Sequence, residues 1–147
     1  SYERLKDYKK ADEDLLLSLE LSPDQPYVLN YLAYSWLERK IKIKQSMDML
    51  LRAYDQKQSD PYIIDSVGWA YYLTEDYVSA EKYLKNALLI MPEDPIVNDH
   101  YGDVLWKLNM KLQASYYWKV AASSDEADEQ LKEIINDKLI FGLNKLQ

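Results

Sequence analysis

Between residues 60 and 93 the apolar positions fall at helical steps, stop, and start again. Ile64, Val67, Gly68 and Tyr71 form one run; Ala80, Leu84 and Ala87 form a second, closed by Pro92. Steps of three, four and seven put each run on one face of a helix, because a turn takes 3.6 residues. The stretch therefore predicts two helices with their apolar faces together. Gly68 is the anomaly, since glycine inside a helix costs roughly 0.5–1 kcal/mol relative to alanine. A close approach to the second helix at Ala80 and Ala87 is the expected compensation, because a bulkier residue would splay the pair.

The same arrangement recurs. Pro61 and Pro95 are 34 residues apart and Pro26 and Pro61 are 35 apart; Ala33, Gly68 and Gly102 each lie seven after their proline. A third copy reads Asn98, Tyr101, Gly102, Leu105, then Ala114, Trp118, Ala121 and Glu126. The first reads Leu29, Leu32, Ala33, Trp36, then Ser46, Leu50, Ala53 and Gln58. Its second half is one residue late, an insertion near "RKIKIKQ" that is expected to loosen a helix turn among exposed lysines. Asp60-Pro61 and Asp94-Pro95 supply a capping carboxylate followed by proline at the first helical position, where its missing N–H costs nothing.

This pattern of large and small residues resembles the tetratricopeptide repeat family, over about residues 26 to 126. The resemblance implies an all-α fold of tandem helix-turn-helix units in a right-handed superhelix. On that reading residues 26–60, 61–94 and 95–125 are three repeats. Ala11, Leu15, Ser18 and Pro23 keep the spacing of Ala80, Leu84, Ala87 and Pro92, so residues 1–25 are expected to be the second helix of an earlier repeat, in a chain that is part of something longer. Residues 126–147 carry Leu131, Ile134, Ile135, Leu139, Leu143 and Leu146 at three- and four-residue steps, which predicts an amphipathic capping helix.

Composition narrows the function. A net charge of −7 disfavours nucleic acid and anionic membranes as partners, and no stretch approaches the roughly 18 apolar residues of a membrane span. With no cysteine and one histidine, His100, the chain lacks a zinc-type ligand set; Asp99 and Asp103 beside His100 are too few. Phosphate loops and nucleophile elbows are absent as well. No cofactor and no enzymatic activity are expected.

That leaves binding. Most of the 14 tyrosines and four tryptophans, Trp36, Tyr71, Tyr77, Tyr101 and Trp118 among them, occupy positions where the repeat demands bulk. In the family, the second, fifth, ninth, twelfth and thirteenth residues of each unit line a concave groove. Carried over, these include Tyr27, Asn30, Tyr34, Leu37 and Glu38, then Tyr62, Asp65, Trp69 and Tyr72, then Ile96, Asp99, Asp103 and Trp106. The expected site comprises Tyr27, Asn30, Tyr34, Tyr62, Asp65, Trp69, Tyr72, Asp99, Asp103 and Trp106. Aromatic rings among carboxylates suit a neutral or basic peptide with apolar anchors, whereas Asp65 and Asp99 would repel a free C-terminal carboxylate. Contact of these residues with neighbouring helices, or with the C-terminal helix folded back over them, is the structural alternative. A different function would be pairing of two copies through Leu15, Leu16, Leu17 and Leu19. The phrases "DSVGWAYY" and "NDHYGDVLW" resemble the C-terminal repeats of bacterial envelope proteins of this class, some of them lipoprotein adaptors that bring substrates to a processing protease. That resemblance implies a periplasmic or outer-membrane-associated scaffold; without it a cytoplasmic site is expected.

Overall fold

The structure, a computed structural model, describes residues 2–143. Among these, eight helices follow one another: α1 (Tyr2–Leu21), α2 (Pro26–Glu38), α3 (Ile43–Gln56), α4 (Pro61–Leu73), α5 (Tyr77–Ile90), α6 (Pro95–Lys107), α7 (Lys111–Ala122) and α8 (Glu129–Phe141). No strand occurs among the described residues. Each helix packs on the one before and the one after, and α4 also touches α2 and α6. These three form a continuous inner wall.

Local chemistry fixes the ends. Pro26, Pro61 and Pro95 open the three inner helices. Asp60 accepts from the backbone N–H of Tyr62 at 2.9 Å and of Ile63 at 3.2 Å; Asp94 does the same for Ile96 and Val97. Gln25, in the equivalent place, caps nothing and instead donates to Ser18 O at 2.9 Å, tying α1 to the start of α2. At the other end the three helices stop alike, with Lys40, Glu75 and Asn109 in the left-handed region. The next N–H reaches back five residues in each case, from Ile41 to Trp36 O, Asp76 to Tyr71 O and Met110 to Leu105 O, at 2.9–3.0 Å. This double closure satisfies carbonyls that the helix end would leave bare.

The inserted residue lies in a connection, not in a loosened helix turn. Residues 39–42 join α2 to α3, against 74–76 and 108–110 in the later hairpins. Lys42 takes up the extra length with a second left-handed conformation, φ 48°.

The glycines are where the hairpins close. A Cβ on Gly68 would stand 2.7 Å from Leu84 Cγ, and one on Gly102 would overlap the indole of Trp118. Thus Gly68 meets Leu84, the residue between Ala80 and Ala87, in place of the two alanines themselves; all three are fully buried. Asn98, which stands where the other repeats have Leu29 and Ile64, is also buried. Its amide donates to Pro92 O at 3.0 Å and Asp94 O at 2.8 Å, so it fastens the loop before α6.

The two terminal helices are half-partnered. In α1, Leu15 and Leu19 pack on the α2–α3 core, whereas Leu16, Leu17 and Leu21 stay exposed. Trp36 Nε1 donates to Asp12 at 3.1 Å and Arg39 pairs with the same carboxylate at 2.8 Å, which docks α1 against α2. Helix α8 is capped by Asp128, accepting from Leu131 N at 2.8 Å. Ile135 is fully buried and Leu131, Leu139 and Leu143 pack around it, while Ile134 faces outward. Leu146 lies outside the described residues.

Candidate partner-binding groove

The inner wall divides into an open part and a closed part. The open part is a cavity of about 700 Å³ across α2 and α4, floored by Ile96 and Val97 of α6. Tyr27, Tyr31 and Tyr62 stand over it, 58%, 73% and 62% exposed. Tyr34, Asn30, Glu38 and Asp65 complete the lining with Asp60 and Asp94, and among the described residues no Lys or Arg lines it, although Arg39 lies over the Tyr8 ring at 4.5 Å and Lys57 over that of Tyr27 at 6.0 Å. Burial, then the charges of Asp65 and Glu38, push the Tyr34 hydroxyl up, so it stays protonated.

The closed part begins at Asp65. His100 Nδ1 donates to Asp65 Oδ1 at 2.9 Å, across from α6 to α4. One helix further along, Lys138 of α8 donates to Asp99 Oδ1 at 2.9 Å and to both oxygens of Asp103 at 3.0 and 3.1 Å. Trp118 Nε1 donates to Asp103 as well, at 3.0 Å. All these polar groups are buried. Charges removed from water need partners at hydrogen-bond distance, and here each carboxylate finds one on the next element of the wall. Asn30 breaks the series: its Oδ1 is buried and receives no donor.

Protonation follows the same geometry. Burial alone would hold the imidazole of His100 neutral, but the Asp65 carboxylate in contact with it, helped by Asp99 and Asp103, raises it above its ordinary value. Burial and the Asp99 charge push the Asp103 carboxyl up to about 6, with Lys138 opposing them. Burial disfavours the charge of Lys138, yet Asp103 and Asp99 outweigh it and raise the ammonium.

Five of the expected site residues, Tyr27, Asn30, Tyr34, Tyr62 and Asp65, come together in the open cavity. The other five serve the wall itself. Asp99 and Asp103 hold Lys138, and Trp69 lies flat between Tyr72, with ring centres 4.5 Å apart, and His100, at 4.0 Å. Tyr72 is buried, and Trp106 lies under the backbone of Gly142, where a Cβ would overlap its ring. For Asp99, Asp103 and Trp106 the reason is α8 and the residue that follows it, which bring a cation and a glycine to the C-terminal end of the wall. Leu37, expected at the surface, is fully buried. Sequence reasoning missed Tyr8 and Tyr31 in the cavity lining. Tyr31 carried a usable signal: Tyr27, Tyr31 and Tyr34 are four and then three residues apart, one face of a helix. His100 is engaged by Asp65 of another helix, not by Asp99 or Asp103 of its own.

No family model matches the chain. It is 30% identical over 101 residues to a TPR repeat-containing protein of Pseudomonas aeruginosa; the match covers 69% of this chain and 17% of that relative, so the chain spans under a fifth of the relative's length. Among solved structures, MamA of Desulfovibrio magneticus superposes with a TM-score of 0.70 at 20% identity, covering 84% of this chain and 71% of MamA. The Yersinia enterocolitica type III secretion translocator chaperone SycD superposes with a TM-score of 0.69 at 14% identity, covering 82% and 93% of the two chains.

Proposed function

Because the chain is an array of tetratricopeptide repeats, we propose that it is a non-enzymatic interaction scaffold holding a segment of another protein in the groove over α2 and α4. One observation carries this reading: exposed tyrosines rim a cavity lined by carboxylates and, among the described residues, by no basic side chain. Large rigid aromatics dominate binding hot spots, and an acidic lining selects a neutral or basic segment with apolar anchors. Capture experiments test it. Partners retained by the wild-type chain and by Leu112→Ala, on the far side, should be lost from both Tyr62→Ala and Asp65→Lys. Equal recovery from all four would overturn the groove.

Two narrower readings extend this one. The bacterial relative and the phrases "DSVGWAYY" and "NDHYGDVLW" favour an adaptor in a bacterial envelope complex, periplasmic or outer-membrane-associated. Exposed Leu16, Leu17 and Leu21 on α1 favour pairing of two copies as the alternative function. A mass in solution that grows with concentration supports the pairing, and a constant monomer mass refutes it.

A further inference from the structure

We propose that the groove takes a lysine or arginine side chain of its partner against Asp65, where the incoming cation competes with His100 for the carboxylate. This rests on the groove reading above and specifies the chemistry of its anchor. Along the wall, each buried carboxylate is answered by a cation from the next inner element: Asp65 by His100, Asp99 and Asp103 by Lys138. Toward the N-terminal end no such cation stands among the described residues that line the cavity. Asn30 Oδ1 is buried with no donor, and Asn30, Glu38 and Asp65 line the cavity with no Lys or Arg among its described lining residues. The described lining of the groove therefore has acceptors in excess of cations, beside the rings of Tyr34 and Tyr62. An aliphatic stem packs well on such rings and a charged head gains from their faces.

Asp65 connects this site to the only histidine. It lines the cavity and also accepts from His100 Nδ1. A cation arriving from the groove stabilises the carboxylate independently and repels a protonated imidazole. Around that imidazole stand Asp65 on α4, Tyr34 on α2, and Asp99 and Asp103 on α6, the last two held by Lys138 of α8. With Asp99 and Asp103 already paired, Asp65 is the carboxylate whose availability the groove controls. Capture of the partner's cation then releases a proton from His100, and affinity rises as pH rises through the titration of that ring.

The single histidine makes the test direct, because its imidazole NMR signals need no assignment. The full chain is titrated across pH with Nα-acetyl-lysine N-methylamide, its arginine counterpart, or the uncharged norleucine analogue. The cationic probes should lower the His100 midpoint by about half a unit, equivalent to about threefold weaker binding at the acid end; norleucine should leave it unmoved. Glu38→Gln, which leaves the His100–Asp65 bond intact, should weaken the lysine probe, and Asp65→Asn should abolish the proton linkage. A midpoint unmoved by saturating lysine, or moved equally by norleucine, overturns the proposal. If tyrosine ring signals still respond to all three probes in that case, the groove reading survives alone. If no probe moves them and partner capture also fails, both fall.

Discussion

The N-terminal and C-terminal halves of the inner wall start from the same repeat and end with opposite fates. Asn30, Asp65 and Asp99 hold one repeat position on α2, α4 and α6, yet Asn30 and Asp65 line an open cavity while Asp99 is held by Lys138 of α8. The difference comes from the neighbour. Beyond α6 stands α8 with a lysine pointed at the wall, whereas tyrosines stand open over α2 and α4. A repeat position therefore confers a direction, and the adjacent element decides whether it becomes a contact or a surface.

Removing the sealing cation should have the largest effect. Lys138→Met leaves Asp99 and Asp103 buried without it, and loss of one partner of a buried pair costs about 3–5 kcal/mol. Urea denaturation should show that loss, and adding Asp103→Asn should restore part of it; an unchanged midpoint in the single variant would contradict the sealed half. The hairpin contacts come next. Gly102→Ala drives a methyl into the fully buried Trp118, which Asp103 holds in place, for about 1–3 kcal/mol. Gly68→Ala meets the more pliable Leu84 and should cost less, so equal losses would mean that the two hairpins close alike. Asp94→Ala removes two cap bonds at the start of α6 and should lower stability by about 1 kcal/mol.

The pH dependence is smaller and has a definite sign. His100 is raised above 6.5, so its contribution is complete below that value and is lost as pH rises through its folded value. Asp103, raised from 3.8 to about 6, acts in the same direction, since its folded form gains a proton before the unfolded one does. The melting temperature should therefore fall from about pH 4 to 6 on account of Asp103 and go on falling above pH 6.5 on account of His100, and His100→Gln should flatten the slope above 6.5. Lys138, raised above 10.5, keeps its charge throughout that window. Least of all should be the stability change for Tyr62→Ala in the open half, within about 0.5 kcal/mol as for other exposed positions, although partner capture should fail. A large loss of stability would make Tyr62 part of the wall.

The helices and their pairing were legible because they depend on local rules. Proline after aspartate, and small residues seven places on, announce a helix start and a close crossing in the sequence itself. Half of the candidate site was legible for the same reason: Tyr27 and Tyr62 stay exposed, and Tyr34 half-buried, on faces that helical geometry defines. What remained hidden depended on long-range contact. Nothing near Asp99 in the chain announces Lys138, 39 residues away, and nothing near Asp65 announces His100, 35 away. The inserted residue near Lys42 was visible, but its placement in the connection depended on the bond from Ile41 N to Trp36 O that closes α2.

Trp69 rests against His100 with ring centres 4.0 Å apart and planes 17° from parallel. An imidazolium draws an electron from an excited indole more readily than a neutral imidazole does, so the emission of Trp69 dims when that ring is charged. The molecule thus contains its own optical readout of the charge at the middle of its wall, with no dye attached.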